Sequence, residues 1–572
     1  MVSFSKYFKI VLVGLLISLI ISIIILSYVP PVSRDALIHH LAVPKLYLKH
    51  GGIYELPEFK YSYYPMILDL LYLIPLSFGN DIIPKFIHFS FALMTAWLIF
   101  SYLKKRRGTC YALFGVLLFL SIPIIVKLSI TAYVDLGLIF FSTATIIYFL
   151  KWIETDFKIK YLIISAIWCG LALGTKYNGL IVLFLLTLFV PFIYLRSIHS
   201  GTFSQGRAIG YSAVFMIVSL MVFSPWMIKN YIWTNNPIYP LYDNVLNPKK
   251  VIPITIKAPA TDFSDTTNNA SGAVKKSEGR WGPFLVRKIV YGEKWWETAL
   301  IPIRVFFQGK DENPKYFDGR LNPILFIFPF FAFIGFKKND DELRTEKKIL
   351  FIFSVLFFLF VFFQADMRVR WIGPIIPPLI ILSVLGLHEI IVVINNRYAG
   401  TSGKTVKWFM FVFITFLISL NVVYLIDQFK IVEPMRYISG EAGRNEYIEK
   451  YRPEYAVINY ANHNISDNAK ILCMFLGNRS YYSDREVVFD YSLASKTVIQ
   501  KDSPDKIFID LRNRKITHIL IRYDLYNKWV QDNYNNREKV IIRQFFKKHL
   551  KLQYSKNGHG LYRLKNHAIE ES

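Results

Sequence analysis

Ser33–Pro65 reads SRDALIHHLAVPKLYLKHGGIYELPEFKYSYYP and follows an apolar run, about Phe8 to Tyr28, almost without a break. That run is long enough to cross a bilayer, which takes roughly 20 apolar residues. It has no small-residue cleavage site, so it reads as a retained signal-anchor helix. The stretch itself opens on Arg34-Asp35, places His39 and His40 a turn later, and closes on Tyr63-Tyr64-Pro65. A carboxylate at the mouth of a membrane helix is costly to keep unless it is paired or used. Ser33–Pro65 is therefore expected to be the catalytic edge of a membrane enzyme, with later spans holding groups against it.

The rest of the chain supports the membrane reading. Of 572 residues, 53% are hydrophobic and only 19% charged, too apolar for a soluble protein of this length. The formal net charge of +26 does not point to nucleic acid, because basic residues in a membrane protein first serve topology and contact with anionic lipid. Cys110, Cys169 and Cys473 have neither metal-binding nor disulfide spacing.

Lys6 and Lys9 precede the first span, which puts the N-terminus in the cytoplasm and Asp35 outside. The run Met66 to Phe78 is short and interrupted by Asp69 and Pro75; the next, Pro84 to Phe100, ends in Lys104-Lys105-Arg106-Arg107. The basic cluster is cytoplasmic only if the second run alone crosses, so 66–78 is expected to lie along the outer surface. Further spans fall at about 110–126, 136–150, 161–174, 179–195, 208–225, 321–336, 348–363, 371–393 and 408–426. About eleven spans result, with outer loops at 28–82 and 227–320, some helix around 284–306, and the C-terminus outside. From 428 to 572 the apolar runs shorten to strand length, at 471–476, 487–489 and 516–521, followed by a hairpin in LQYSKNGHGLYRL. Helical stretches near 445–462 and 525–548 complete an extracytoplasmic α/β domain of about 140 residues.

With this topology the unusual polar groups collect on one side. Asp35 follows the first span, Asp135 begins the fourth, Lys176 sits in the turn GTKYNG, and Arg368 and Arg370 sit in the turn QADMRVRW. Cations in short outer turns run against the positive-inside bias and suggest an anionic ligand, with Arg and Lys the usual phosphate binders. A carboxylate beside them can act as general base or hold a divalent metal. Each residue also has a plainer use. Asp35 and Asp135 can cap helices, Lys176 can snorkel, and the arginines can pair with Asp366. His39 and His40 have no partner ligand nearby in sequence, and Trp295-Trp296 suits an interfacial anchor. Asn269, Asn464 and Asn478 begin N-glycosylation triplets, which matter only in a host with that pathway.

The segments RDALIHHLAVPKLYLKHGGIYELP, YYP, TAYVD, GLALGTKYNGL, SPWMIKNYIWTNNPIYP and RVRWIGPIIPPL, in this order, resemble membrane glycosyltransferases of the GT-C fold. The likeness is to the protein O-mannosyltransferase and lipid A aminoarabinose transferase-like group. It implies transfer of a sugar, with inversion, from a polyprenyl-phosphate donor to a lipid, protein or glycan acceptor on the outer face of a plasma or inner membrane. Carried over, Asp35 matches the first-loop acid proposed as base, and Asp135 the acid of the second outer loop. Lys176, Arg368 and Arg370 would meet the donor phosphate. Apart from the resemblance, Arg34, His39, Tyr63 and Tyr64, all within Ser33–Pro65, are expected to bind substrate. The resemblance leaves a divalent metal ion open. Tyr63-Tyr64 stand where the aminoarabinose transferase pattern has an acid and a lysine before the proline, so Glu55 or Glu58 would have to substitute for that acid. Trp295-Trp296-Glu297 is not the WWDYG signature of oligosaccharyltransferases, which argues against transfer of a whole glycan. Two other functions remain: a transporter or flippase of lipid-linked sugars, and a surface-glycan polymerase or ligase. The first needs polar residues midway through several spans, and here the charges sit at the ends.

Overall fold

The computed structural model describes residues 6–197, 202–247, 283–334, 343–362, 367–397, 400–489 and 503–565. Asn269, Asp366 and most of the loop before residue 283 lie outside these. The first span is helix α1 (Lys6–Ser27). A π-helical turn at Ala36–His40 leads into α2 (Ala42–His50), and α3 (Ile67–Ser77) follows. At 11 residues α3 is about 16 Å long, half the depth of a bilayer, as the charge argument for 66–78 requires.

Then come α4 (Ile83–Arg107), α5 (Thr109–Ser121) and α6 (Pro123–Ser129). The last two meet at 66°, because Ile122 takes an extended ψ ahead of Pro123. The next helices are α7 (Asp135–Glu154), α8 (Ile159–Thr175), α9 (Gly179–Ser197) and α10 (Thr202–Thr234). Short helices α11 (Asp243–Leu246), α12 (Pro283–Ile289), α13 (Trp295–Ala299) and α14 (Ile301–Phe307) occupy the long loop, the last three where helix is expected. The bundle closes with α15 (Ile324–Phe331), α16 (Arg344–Phe362), a 3-10 turn at Val369–Ile375 continuing into α17 (Ile376–Arg397), and α18 (Gly400–Val432).

Each of the eleven expected spans overlaps a helix, the one at 321–336 only over Ile324–Phe331. Seven helices are long and apolar enough to cross a membrane, or eight if the bent α5–α6 pair is one span. The segments that fall short are α8, α15 and α16. Conversely α10 and α18 are longer than expected, at 33 residues each, or about 50 Å. Lys229, which the sequence places in the loop, is therefore still helical.

The span 369–397 and α7 are the most buried, whereas α10 and α18 are largely exposed at the periphery. Packing is close where side chains vanish. A Cβ on Gly170 of α8 would stand 2.6 Å from the Ser219 carbonyl of α10, and one on Gly386 of α17 would strike the Phe328 carbonyl of α15. Small residues at such crossings let helix backbones approach when lipid supplies no hydrophobic drive. The cluster at the end of α4 pairs with acids: Arg106 reaches Glu346 at 2.6 Å and Arg107 reaches Glu389 at 3.5 Å. These ion pairs lie at the opposite end of the bundle from the start of α4, where Lys85 donates to the Val29 carbonyl at 2.7 Å.

Beyond α18 lies a five-stranded sheet in the order β2-β1-β3-β5-β4. Strands β1 (Lys470–Met474), β2 (Glu486–Val488) and β3 (His518–Arg522) are parallel; β4 (Leu550–Lys556) and β5 (His559–Leu564) form the expected hairpin. Its turn residues Asn557 and Gly558 both have positive φ, which suits a two-residue hairpin loop. Alternation along β1 explains the two faces. Ile471 and Cys473 pack on Val457 and Ile458 of the helix Tyr455–Asn464, while Leu472 and Met474 face Ile507 and Ile541 of two later helices. The helix holding Ile507, Pro504–Asn513, is not foreseen in the sequence. Helix is also interrupted near 452 and near 534, so each long helical stretch becomes a pair.

Candidate active site

A cavity of about 910 Å³ opens beside the π-helical turn, the start of α7, the turn between α8 and α9, and the 3-10 turn before α17. Its polar wall carries Arg34, Asp35, His39, Lys176, Arg368 and Arg370, and its apolar side includes Leu180, Ile181 and Leu241. Residues from six places in the sequence thus reach one space.

Asp35 precedes the π-helical turn but does not cap it; its carboxylate is held by Arg370, Nη1 to Oδ2, at 2.6 Å. The Asp35 backbone N–H lies 3.4 Å from the Tyr133 hydroxyl, and the Arg370 guanidinium stands over the Tyr133 ring. Burial opposes ionisation of Asp35, but the Arg370 guanidinium beside it outweighs burial and holds the carboxyl well below the usual range. Asp35 is thus an anion at neutral pH.

Asp135 begins α7 and is almost wholly buried, with Lys176 Nζ at 2.6 Å from Oδ1. The corner that delivers it is pinned by His88. Its Nε2 accepts from the Leu136 N–H, and its Nδ1 lies 2.9 Å from the Leu128 and Thr131 carbonyls. Asp135 stands behind Lys176 rather than on the cavity wall. It holds and orients a cation that the cavity exposes.

Arg368 reaches Asp318 at 3.5 Å, and Asp318 also meets Lys127 at 3.4 Å. The expected partner of both arginines, Asp366, lies outside the described residues. Tyr64 lines the cavity; Tyr63 does not, since its hydroxyl donates to Glu55 at 2.7 Å and its ring packs on Trp233 and Tyr239. Glu55 is thereby committed to a structural bond.

His39 stacks on Tyr61 with centroids 4.5 Å apart, and burial lowers its pKa to about 3. His40 faces Asp69, with Nδ1 and Oδ1 2.7 Å apart. Burial lowers His40 to about 4 and raises Asp69 to about 7, so between about pH 4 and 7 this pair is uncharged. Asp69 is the site residue that sequence reasoning passed over; an acid interrupting an apolar run was its signal. Lys229 and Asn230 were also missed. From the overlong α10 they bind the Ser62 and Tyr63 carbonyls, at 2.8 and 2.9 Å, and fix the Tyr-rich strip.

The described residues that line the cavity do not make a metal site. Among the described residues no group of three or more His, Cys, Asp or Glu converges. Asp35 is bound to Arg370, and His40 to Asp69. Among the described residues the buried polar atoms near the site that make no hydrogen bond include Arg370 Nε, His39 Nδ1, Asn230 Oδ1 and Asp135 Oδ2.

A bundle of apolar spans, a cavity at one end lined by cations and an acid, and a small α/β domain on that same end define a membrane protein of the GT-C glycosyltransferase fold. Residues 70–228 match the family model described as dolichyl-phosphate-mannose-protein mannosyltransferase. Over nearly its whole length the chain is similar to ArnT from Cupriavidus metallidurans in the apo state. That match has a TM-score of 0.54 and 13% identity, over 97% of this chain and 97% of that one. The same ArnT bound to undecaprenyl phosphate gives 0.52 and 12%, over 98% of each. The Archaeoglobus fulgidus oligosaccharyltransferase tethered with an acceptor peptide also gives 0.52 and 12%, over 98% of this chain and 74% of that one. At these identities the likeness shows the fold, which is the one expected from the sequence. No curated protein sequence matches this chain.

Proposed function

We propose that this protein transfers a sugar from a polyprenyl-phosphate donor to an acceptor on the extracytoplasmic side of the membrane. The observation that carries the reading is the meeting of Asp35, Arg370 and Lys176 in one cavity whose other side is apolar. The partial family match and the ArnT structure bound to undecaprenyl phosphate agree with it. The cavity is assigned to the outer face because the basic end of α4 lies at the opposite end, and positive residues favour the cytoplasm.

In this reading the donor phosphate binds Arg370, Lys176 and Arg368, and takes up the Arg370 Nε–H, which makes no hydrogen bond within the protein. The isoprenoid tail leaves along the apolar side. As the bond from the anomeric carbon to the phosphate oxygen breaks, the polyprenyl phosphate departs with the electron pair, and these cations stabilise the added charge. The acceptor attacks from the opposite face and gives its proton to Asp35. While paired with Arg370, Asp35 is a weak base. A donor phosphate that draws on Arg370 raises the proton affinity of Asp35, so base strength appears when the donor is in place. His39, with its free Nδ1, contacts the sugar or acceptor hydroxyls as a neutral hydrogen-bonding group.

The test is turnover of polyprenyl-phosphate sugars by purified protein and its Asp35→Asn variant. Transfer by wild type and its loss in the variant support the reading. Full transfer by the variant removes Asp35 from the chemistry. Movement of lipid-linked sugar across liposomes without any transfer would favour the flippase.

A further inference from the structure

The turn that carries Asp35 is not held by the membrane bundle alone. The segment after β1 of the small domain, Ser480–Asp484, lies directly against it. The Leu37 carbonyl, inside the π-helical turn, accepts from the N–H groups of both Ser480 and Tyr481, at 3.2 and 3.1 Å. The Tyr482 hydroxyl donates to the Pro31 carbonyl at 2.7 Å, four residues before Asp35. From the other side Lys45 Nζ donates to the Tyr481 and Ser483 carbonyls at 2.9 and 3.1 Å and meets Asp484 at 2.8 Å. The Tyr481 ring is buried among Ala36, Leu37, Leu41 and Ala42, and its hydroxyl lies 3.3 Å from Asp81, which also pairs with Arg444 at 2.5 Å.

These bonds fall on both sides of Asp35 in sequence, at residues 31 and 37, and join parts of the chain more than 400 residues apart. A π-helical turn shifts the register of backbone bonds, here with the Leu41 N–H returning to the Ala36 carbonyl at 2.9 Å. Such turns are uncommon and occur frequently at functional sites. Here the turn is bonded by the segment that follows the C-terminal edge of parallel strand β1, which in open α/β sheets is the edge that faces ligands.

The geometry points to Ser480–Asp484 as a clamp that sets the position of Asp35, with Lys45 and Tyr482 as positioning residues for transfer. This rests on the assignment of Asp35 as base. The small domain is then part of the catalytic apparatus. A shift of about 1 Å in a reacting group can cost roughly 100-fold in rate, so loosening this turn should be felt in turnover.

The experiment uses the full-length protein and three variants: Tyr482→Phe, which removes one hydroxyl, Lys45→Met, and Lys548→Met as a control at an exposed pair in the same domain. Amide exchange over residues 36–41 is measured with turnover and donor KM. Faster exchange in the first two variants, a fall in kcat of about 10- to 100-fold and little change in donor KM are expected. Lys45→Arg should recover much of the loss, and the control should match wild type. Unchanged exchange in both variants overturns the clamp; faster exchange with wild-type kcat overturns the positioning role. If wild type itself transfers no sugar, the functional reading falls, and the exchange result alone still decides the clamp.

Discussion

Replacing Asp35 with asparagine should separate catalysis from donor binding in opposite directions. The pair it breaks is short, 2.6 Å, and both side chains are mostly out of water. Two unit charges about 4 Å apart at an effective dielectric near 20 attract by about 4 kcal/mol, and that attraction is what a donor phosphate must displace to use Arg370 fully. In Asp35→Asn the guanidinium keeps its place but is released from the carboxylate. Part of the attraction, about 1–2 kcal/mol, should appear as tighter binding of polyprenyl phosphate, on the order of 10-fold. Transfer should fall by about 100- to 10,000-fold, the usual contribution of a general base. Titration calorimetry in detergent with polyprenyl phosphate, beside a labelled-sugar transfer assay, reads both quantities. Binding weakened several-fold would show that Arg370 serves Asp35 and not the phosphate. Transfer within about threefold of wild type would show that another group takes the proton.

Lys176→Met should leave Asp135 buried beside its lost cation and destabilise the protein by about 3–5 kcal/mol, whereas Lys176→Met/Asp135→Asn should recover most of that in thermal unfolding. Donor binding should stay weak in both. Asp69, raised to about 7, is neutral below that pH and gains a negative charge above it, in the cavity proposed to take the donor phosphate. Donor KM should therefore climb as pH rises through about 7, and Asp69→Asn should flatten the profile; an unchanged profile refutes the assignment. Gly386→Ala should lower the thermal midpoint, because its Cβ meets the Phe328 carbonyl and one helix backbone must shift; a cost of about 1–3 kcal/mol is expected for such overpacking.

Much of the architecture was legible in the chain itself. Apolar runs of bilayer length, with basic residues after alternate ones, dictate helices and their order, since in lipid a backbone must satisfy its own hydrogen bonds. The short strands and the Asn557-Gly558 turn announce the terminal domain in the same local way. Asp35, Asp135, Lys176, Arg368 and Arg370 could be named because charge at span ends is unusual. Their pairing could not. That Arg370 holds Asp35 while Lys176 holds Asp135 depends on which helix ends meet, and that follows from side-chain packing and close glycine crossings far from the charges. Asp69 looked like an interruption until His40 was found against it, and the Ser480–Asp484 segment carries no local signal at all. The acid that opens Ser33–Pro65 was evident from residue type and place in the chain. The cation that keeps it ionised, and the distant segment that grips its turn, exist only once the bundle and the small domain are assembled.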